Sequence, residues 1–264
     1  MARLPTLFLS HGSPDIAIAE TPATAFLRML ADHRPRPAAI VVASAHFESG
    51  RPSVTVDAQP ETIHDFGGFD PRLYEMRYEA PGNPALAGEI LTHLRAAGFD
   101  AAGLAGRGFD HGTWIPLSLA YPAADIPVVQ VSVDPQGGPE HHVRLGEALA
   151  FLRDRDVLLV GSGSFTHNLR EAFGNIRSGR REAETPAWVS AFADWMTDRI
   201  LAHDLAAAMD YRAQAPFAVQ NHPSDEHLMP LFVAWGAAGA KANARRLHTS
   251  RDFGALFMDA FAFD

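Results

Sequence analysis

Cysteine is absent from all 264 residues. Disulfides, thiolate zinc sites and thiol nucleophiles are therefore excluded. Also missing is any run near the roughly 18 uninterrupted apolar residues that span a bilayer. The apolar stretch after Met1-Ala2-Arg3-Leu4-Pro5 is too short for the core of a secretion signal and has no cleavage-like end, so it reads as a first strand. A cytoplasmic protein, with no membrane partner, fits these absences. Basic charge is scarce as well: 22 Lys and Arg face 31 Asp and Glu, for a formal net charge of −9. That balance disfavours a nucleic-acid partner, which needs a concentrated basic face. The one dense basic patch, Arg177 to Arg181, runs directly into Glu182 and Glu184 and reads as a solvated loop or helix start.

Apolar residues make up 47% of the chain, enough for a substantial core. Short apolar or β-branched runs predict strands at Thr6–Ser10, Ala39–Ala45, Ser53–Val56, Pro127–Ser132 and Val157–Ser162. Helical spacing predicts helices over Ala23–Asp32, Pro84–Ala97, His141–Asp154, Pro186–His203 and His227–Ala238. Strands alternating with helices of this length imply an α/β fold: one domain, residues 1–264, with a mostly parallel or mixed central sheet flanked by helices. No internal repeat or low-complexity linker divides it. Gln59–Pro81 and Gly174–Glu184 lack periodicity. The first carries Phe66, Phe69, Tyr74 and Tyr78, which argues for a packed loop near a site. The second is a lid or an interface.

Thirteen histidines are many for this length, and histidine is both the commonest metal ligand and the usual proton carrier near neutral pH. In open α/β sheets, ligands gather outside the carboxyl ends of the strands. His11, His46 and His167 each follow an apolar run ending in small residues. Any one alone reads as a turn residue; three repeats of the pattern favour a shared site. His111 sits in the glycine-flanked loop Gly108-Phe109-Asp110-His111-Gly112 before an apolar helix or strand. His227 opens a helix with Ser224 as N-cap; a surface histidine is the equal alternative there. His33, His93, His141, His142, His203 and His248 have polar neighbours and read as surface residues, with His64 intermediate.

Five motifs occur in order: Ser10-His11-Gly12-Ser13-Pro14, Ser44-Ala45-His46, Ile63-His64-Asp65-Phe66-Gly67-Gly68-Phe69, Phe109-Asp110-His111-Gly112 and Glu226-His227-Leu228-Met229-Pro230-Leu231. Together they resemble the class III extradiol ring-cleaving dioxygenases, of the DOPA-dioxygenase type in the LigB-like superfamily. The resemblance spans nearly the whole chain. It implies that His11, His46 and His227 bind the metal, that His167 is the acid–base residue, and that His111 lines the substrate site, where it stabilises substrate or a peroxide. It also implies Fe(II) as the cofactor, with an all-histidine set that suits Zn(II) too, and a small aromatic diol and O₂ as substrates. Glu226 adjoins His227, and neighbours on a helix point about 100° apart, so both binding one ion is not expected. The chemistry is coherent: three facial ligands leave three positions for a chelating catechol and O₂, and a nearby unligated histidine takes a phenolic proton and later returns one. Phe66, Phe69, Tyr74 and Trp114 could wall the ring, or pack the core; His64 and His222 could lie near substrate or orient a ligand.

Two other readings use the same histidines. A zinc hydrolase would activate water on them, although no HExxH helix supplies its usual base. A non-catalytic, Memo-like binding protein would keep the fold without the chemistry; His111 and His167 beside the three ligand positions favour a working site. A Ser–His–Asp hydrolase is a poor third, because Ser162 lacks the full G-x-S-x-G signature. The particular catechol or aminophenol, the native metal and the oligomeric state, a homodimer included, are left open.

Overall fold

The computed structural model describes residues 3–32 and 34–264; His33 lies outside the described residues. Eight strands form one sheet: β1 Thr6–Ser10, β2 Ala39–Glu48, β3 Ser53–Thr55, β4 Ala102–Leu104, β5 Val128–Val133, β6 Val157–Gly163, β7 Ala244–His248 and β8 Ala260–Phe263. Their spatial order is β4-β3-β5-β2-β6-β1-β8-β7. The block β5-β2-β6-β1 is parallel throughout, while β8 and β7 close one side antiparallel. On the other side β3 meets β5 antiparallel and β4 parallel. The sheet is mixed, as the alternating sequence pattern implied. Strands β1, β5 and β6 are buried at every residue, and burial on both faces is why they read as continuous apolar runs without alternation.

The main helices are α1 Pro22–Arg28, α2 Pro84–Ala96, α3 His111–Ala120, α4 Gly138–Leu149, α5 Leu169–Arg177, α6 Ala187–Leu201 and α7 Met229–Ala238. None of the described helices is long and apolar enough to cross a membrane. Proline opens α1 and α2 at their first turn, after Thr21 and Asn83 accept from the amides of Thr24 and Leu86. Helix α7 is apolar on all sides and buried up to its last residue, with Leu231, Phe232 and Trp235 fully enclosed. Burying each contributes about 1.5–3 kcal/mol. The helix lies unusually close to β6. A Cβ at Gly161 or Gly163 would collide with the backbone oxygens of Pro230 and His227. Both positions must be glycine for the His227 turn to rest directly on the strand.

Several elements depart from the sequence reading. Strand β2 continues through His46, with a register shift after Ser44, so that histidine belongs to the strand's irregular end and not to a following loop. Helix α7 starts at Met229, leaving His227 in the preceding turn; Ser224 bonds the Glu226 carboxylate instead of capping. Helix α4 ends at Leu149 and the chain continues as a 3₁₀ segment. The last turn of α5 occupies the start of Gly174–Glu184, and Arg181 is not solvated: its guanidinium pairs with Asp15 and Asp252 and stacks on Phe253. The buried Asp252 and the partly buried Asp15, both distant in sequence, drew it inward, which local composition does not reveal.

His142 is a further correction, since it is completely buried. Its Nδ1–H donates to Gly138 O at 2.6 Å, and the Asp134 amide donates to Nε2 at 3.0 Å. The ring is thus fixed as a neutral imidazole, and burial pushes its pKa down to about 4. In the unfolded chain it titrates near the ordinary value of about 6.5. Between these values the unfolded state binds the extra proton. Stability present above pH 6.5 is therefore lost as the pH falls through about 4, up to roughly 3 kcal/mol. Urea unfolding from pH 7 to pH 4 should show a shallower decline in His142→Gln than in the wild type. Equal slopes would remove His142 as a source of acid sensitivity.

Candidate metal centre

Parallel pairing of β1, β6 and β2 brings their carboxyl ends to one rim. His11 continues β1 by one more bond, its amide donating to Gly163 O at 3.0 Å. His46 stands on the end of β2, where Arg107 donates to its carbonyl oxygen at 2.8 Å. His227 arrives from the other side, its carbonyl accepting from the Ser164 amide at 2.8 Å. The three imidazoles converge: His11 Nε2 is 3.1 Å from His46 Nε2, which is 3.3 Å from His227 Nε2.

Their protonation follows from the atoms behind them. Ser162 Oγ spends its only proton on Gly112 O, so it must accept from His11 Nδ1–H at 3.1 Å. The Glu226 carboxylate accepts from His227 Nδ1–H at 2.9 Å. The Nδ1 of His46 faces Asp65 Oδ2 at 3.7 Å. His11 and His227 thus carry their protons on the outer nitrogen and turn a lone pair inward, and the nearby Asp65 carboxylate favours the same tautomer in His46. Burial first, then the neighbouring imidazoles, depresses the pKa of His11 and His227 well below the ordinary value; burial and His111 bring His46 to about 3. Three neutral acceptors with no proton between them repel one another unless a cation lies among them. With metal–nitrogen bonds of about 2.0–2.1 Å, nitrogens on one face sit about 2.9 Å apart at right angles and about 3.4 Å apart at the tetrahedral angle. Both spacings to His46 Nε2 fall inside that window. The residues present therefore fit a metal ion bound on one side by three imidazoles, a donor set that suits iron and zinc alike.

Two more histidines face the same space without joining the set. His111 is the first residue of α3, whose N-cap Asp110 accepts from Thr113 N at 3.1 Å and from Ser44 Oγ at 2.6 Å, tying the helix start to β2. Its ring centre is 3.9 Å from that of His46. His167 follows β6, anchored by its amide to Asn221 O at 3.0 Å, and stacks on His227 at 3.4 Å between centres. Burial lowers its pKa to about 4, with His111 adding to the shift. The five histidines line one cavity of about 330 Å³, walled by Phe66, Phe69, Phe173, Ile176 and Leu256. Its volume is that of a small-molecule site.

Asp65 is the residue the sequence reading passed over. Oδ1 accepts from the His111 amide at 2.9 Å and lies 3.0 Å from His111 Nδ1, while Oδ2 faces His46. One carboxylate thus lies against two of the cavity's imidazoles and holds the first turn of α3 through the His111 amide. Its neighbours His64, Phe66 and Gly67 in the quoted motif were the available signal. Helix α5 was missed too, although Leu169, Phe173 and Ile176 stand at helical spacing. Of the proposed aromatic wall, Phe66 and Phe69 line the cavity. Trp114 is fully buried and donates to Ile63 O at 3.1 Å, and Tyr74 packs behind Phe66. His64 lies 3.1 Å from Met76 O and 5.8 Å from the Trp114 ring centre, outside the cavity lining. His222 is buried behind the site, donating from Nε2 to Phe165 O at 3.0 Å.

Fold and site define a mixed-sheet α/β protein whose strand ends carry a metal-competent histidine centre inside an aromatic-walled cavity. The family model described as the catalytic LigB subunit of aromatic ring-opening dioxygenase matches residues 6–256. A Beta vulgaris protein named 4,5-DOPA dioxygenase extradiol is 40% identical over 98% of this chain and 96% of its own length. An Escherichia coli K12 protein of the same name is 37% identical over 89% of this chain and 85% of its own. A crystal structure of an uncharacterized Escherichia coli K12 protein superposes with a TM-score of 0.79 at 28% identity, covering 99% of this chain and 100% of that one. The chain belongs to this family of extradiol aromatic ring-opening dioxygenases.

Proposed function

We propose that residues 1–264 act as one cytoplasmic catalytic domain, an Fe(II)-dependent extradiol dioxygenase that opens a catechol ring beside its hydroxyl pair. In this reading His11, His46 and His227 hold the metal, His167 transfers protons and His111 steadies the substrate. Three inward lone pairs in a cavity that also presents two unligated imidazoles are the observation that carries it. Bound iron supplies the redox link between catechol and O₂ and acidifies the hydroxyls it touches. His167 is neutral at pH 7 and so able to take a catechol proton; once protonated in this buried, histidine-lined space it is acidic and gives the proton back. Asp65 holds the His111 backbone in place, with a carboxylate oxygen 3.0 Å from the ring Nδ1. The aromatic and aliphatic walls hold the substrate ring flat and keep bulk water from the reacting atoms. Relatives named for DOPA support a catechol with a side chain of that size as the substrate class. Zinc on the same imidazoles gives an inactive form.

Anaerobic reconstitution with Fe(II), followed by a catechol panel and air, tests the reading. Oxygen uptake with a yellow product, absent from a zinc-loaded control, is the expected result. Activity that is indifferent to oxygen and present with zinc would replace it with a hydrolase; no turnover under any condition would favour a binding protein.

A further inference from the structure

The histidine chamber opens into a second one. Gly67, Phe69, Phe173 and Ile176 border both the inner cavity and an outer cavity of about 710 Å³. These residues form a collar between the two chambers, on a path open to the substituent of a ring seated on the histidines. Phe173 remains 47% exposed although it walls a site, as expected of a side chain with surface left for a ligand to cover.

The outer chamber carries Asp15, Asp70, Arg72 and Arg177. Three of these are committed. Arg72 bonds Asp70 through Nε at 3.0 Å and Nη2 at 2.9 Å, and Asp15 is paired with Arg181. Arg177 makes no ion pair with any described residue. It ends α5, four residues after Phe173, so it projects from the same helix face as the collar. A carboxylate leaving the collar meets an uncommitted guanidinium. An ammonium meets only carboxylates that are already engaged: Asp15 and Asp70 in the outer chamber are paired with arginines, and Asp65 in the inner one accepts from the His111 amide.

We propose that Arg177 is a specificity-determining residue that binds a carboxylate at the end of the catechol's side chain, and that an α-ammonium group contributes nothing to recognition. The proposal rests on the ring-opening reading for its substrate's catechol end. Carboxylate-tailed catechols are then preferred over neutral-tailed ones, and removing the amine costs nothing relative to DOPA. Because Arg177 is exposed, the preference is modest, about fivefold, and shrinks as salt rises.

The test compares 3-(3,4-dihydroxyphenyl)propanoate, DOPA, 4-propylcatechol and dopamine on the Fe(II) enzyme and its Arg177→Met and Arg177→Glu variants. The wild-type ratio of kcat/KM for the propanoate over 4-propylcatechol should fall about fivefold in Arg177→Met, through KM. In Arg177→Glu the order should tip toward dopamine. The same ratio is measured by anaerobic calorimetry on zinc-loaded protein, where binding is read without turnover. An unchanged ratio in Arg177→Met, or DOPA outperforming the propanoate, overturns the proposal. Turnover of no catechol, with a calorimetric ratio that still depends on Arg177, overturns the ring-opening reading and leaves the carboxylate site standing.

Discussion

His46→Ala should purify folded but without metal. His46 contributes one of three converging lone pairs, and its Nε2 is the atom within 3.3 Å of both other nitrogens. Alanine leaves two imidazoles, and affinity should fall by more than the roughly 10–100-fold that follows loss of an outer-shell partner. The side chain is only partly enclosed, at 22% exposure, so its removal does not hollow the core. Circular dichroism should match the wild type while metal analysis after dialysis drops from stoichiometric to background. A variant that retains stoichiometric iron or zinc would take His46 out of the ligand set. Oxygen uptake with catechol should vanish together with the metal.

His167→Ala should do the opposite: keep the metal and lose turnover by about 10²–10⁴-fold, the usual contribution of a positioned acid–base group. Its ring stacks on His227, so alanine could loosen that imidazole as well. His167→Phe separates the two effects, because phenylalanine preserves the stack and carries no proton. Both variants should bind metal as the wild type does, and both should be slow. Near-normal turnover in the phenylalanine variant would end the proton-transfer assignment. Slow turnover in alanine alone would reassign His167 to holding His227 in place.

The parallel block was legible because burial on both faces wrote itself as unbroken apolar runs. The histidines at the ends of β1, β2 and β6 could be picked out by position. Strands β7 and β8 left no such trace: β7 is a half-exposed edge reading Ala-Arg-Arg-Leu-His, and β8 is four residues long. The start of α7 was misplaced although Pro230, in its first turn, was the local marker. Asp65 is different in kind. Nothing near it in sequence says that residues 46 and 111 come to its two oxygens; only the closed fold does. The burial of His142 and the capture of Arg181 by two distant carboxylates were hidden for the same reason.

The strand order also sets a calendar for assembly. β1 is made first, yet both its neighbours, β6 and β8, come from residues 157 onward. His11 therefore waits unpaired through most of synthesis, and His227 must follow before the three nitrogens can meet. Contacts of such long sequence separation form late and slowly. A partly made chain offers scattered imidazoles but no shared pocket, so a metal held by these three would be acquired as a finishing event that clasps the early and late parts of the polypeptide together.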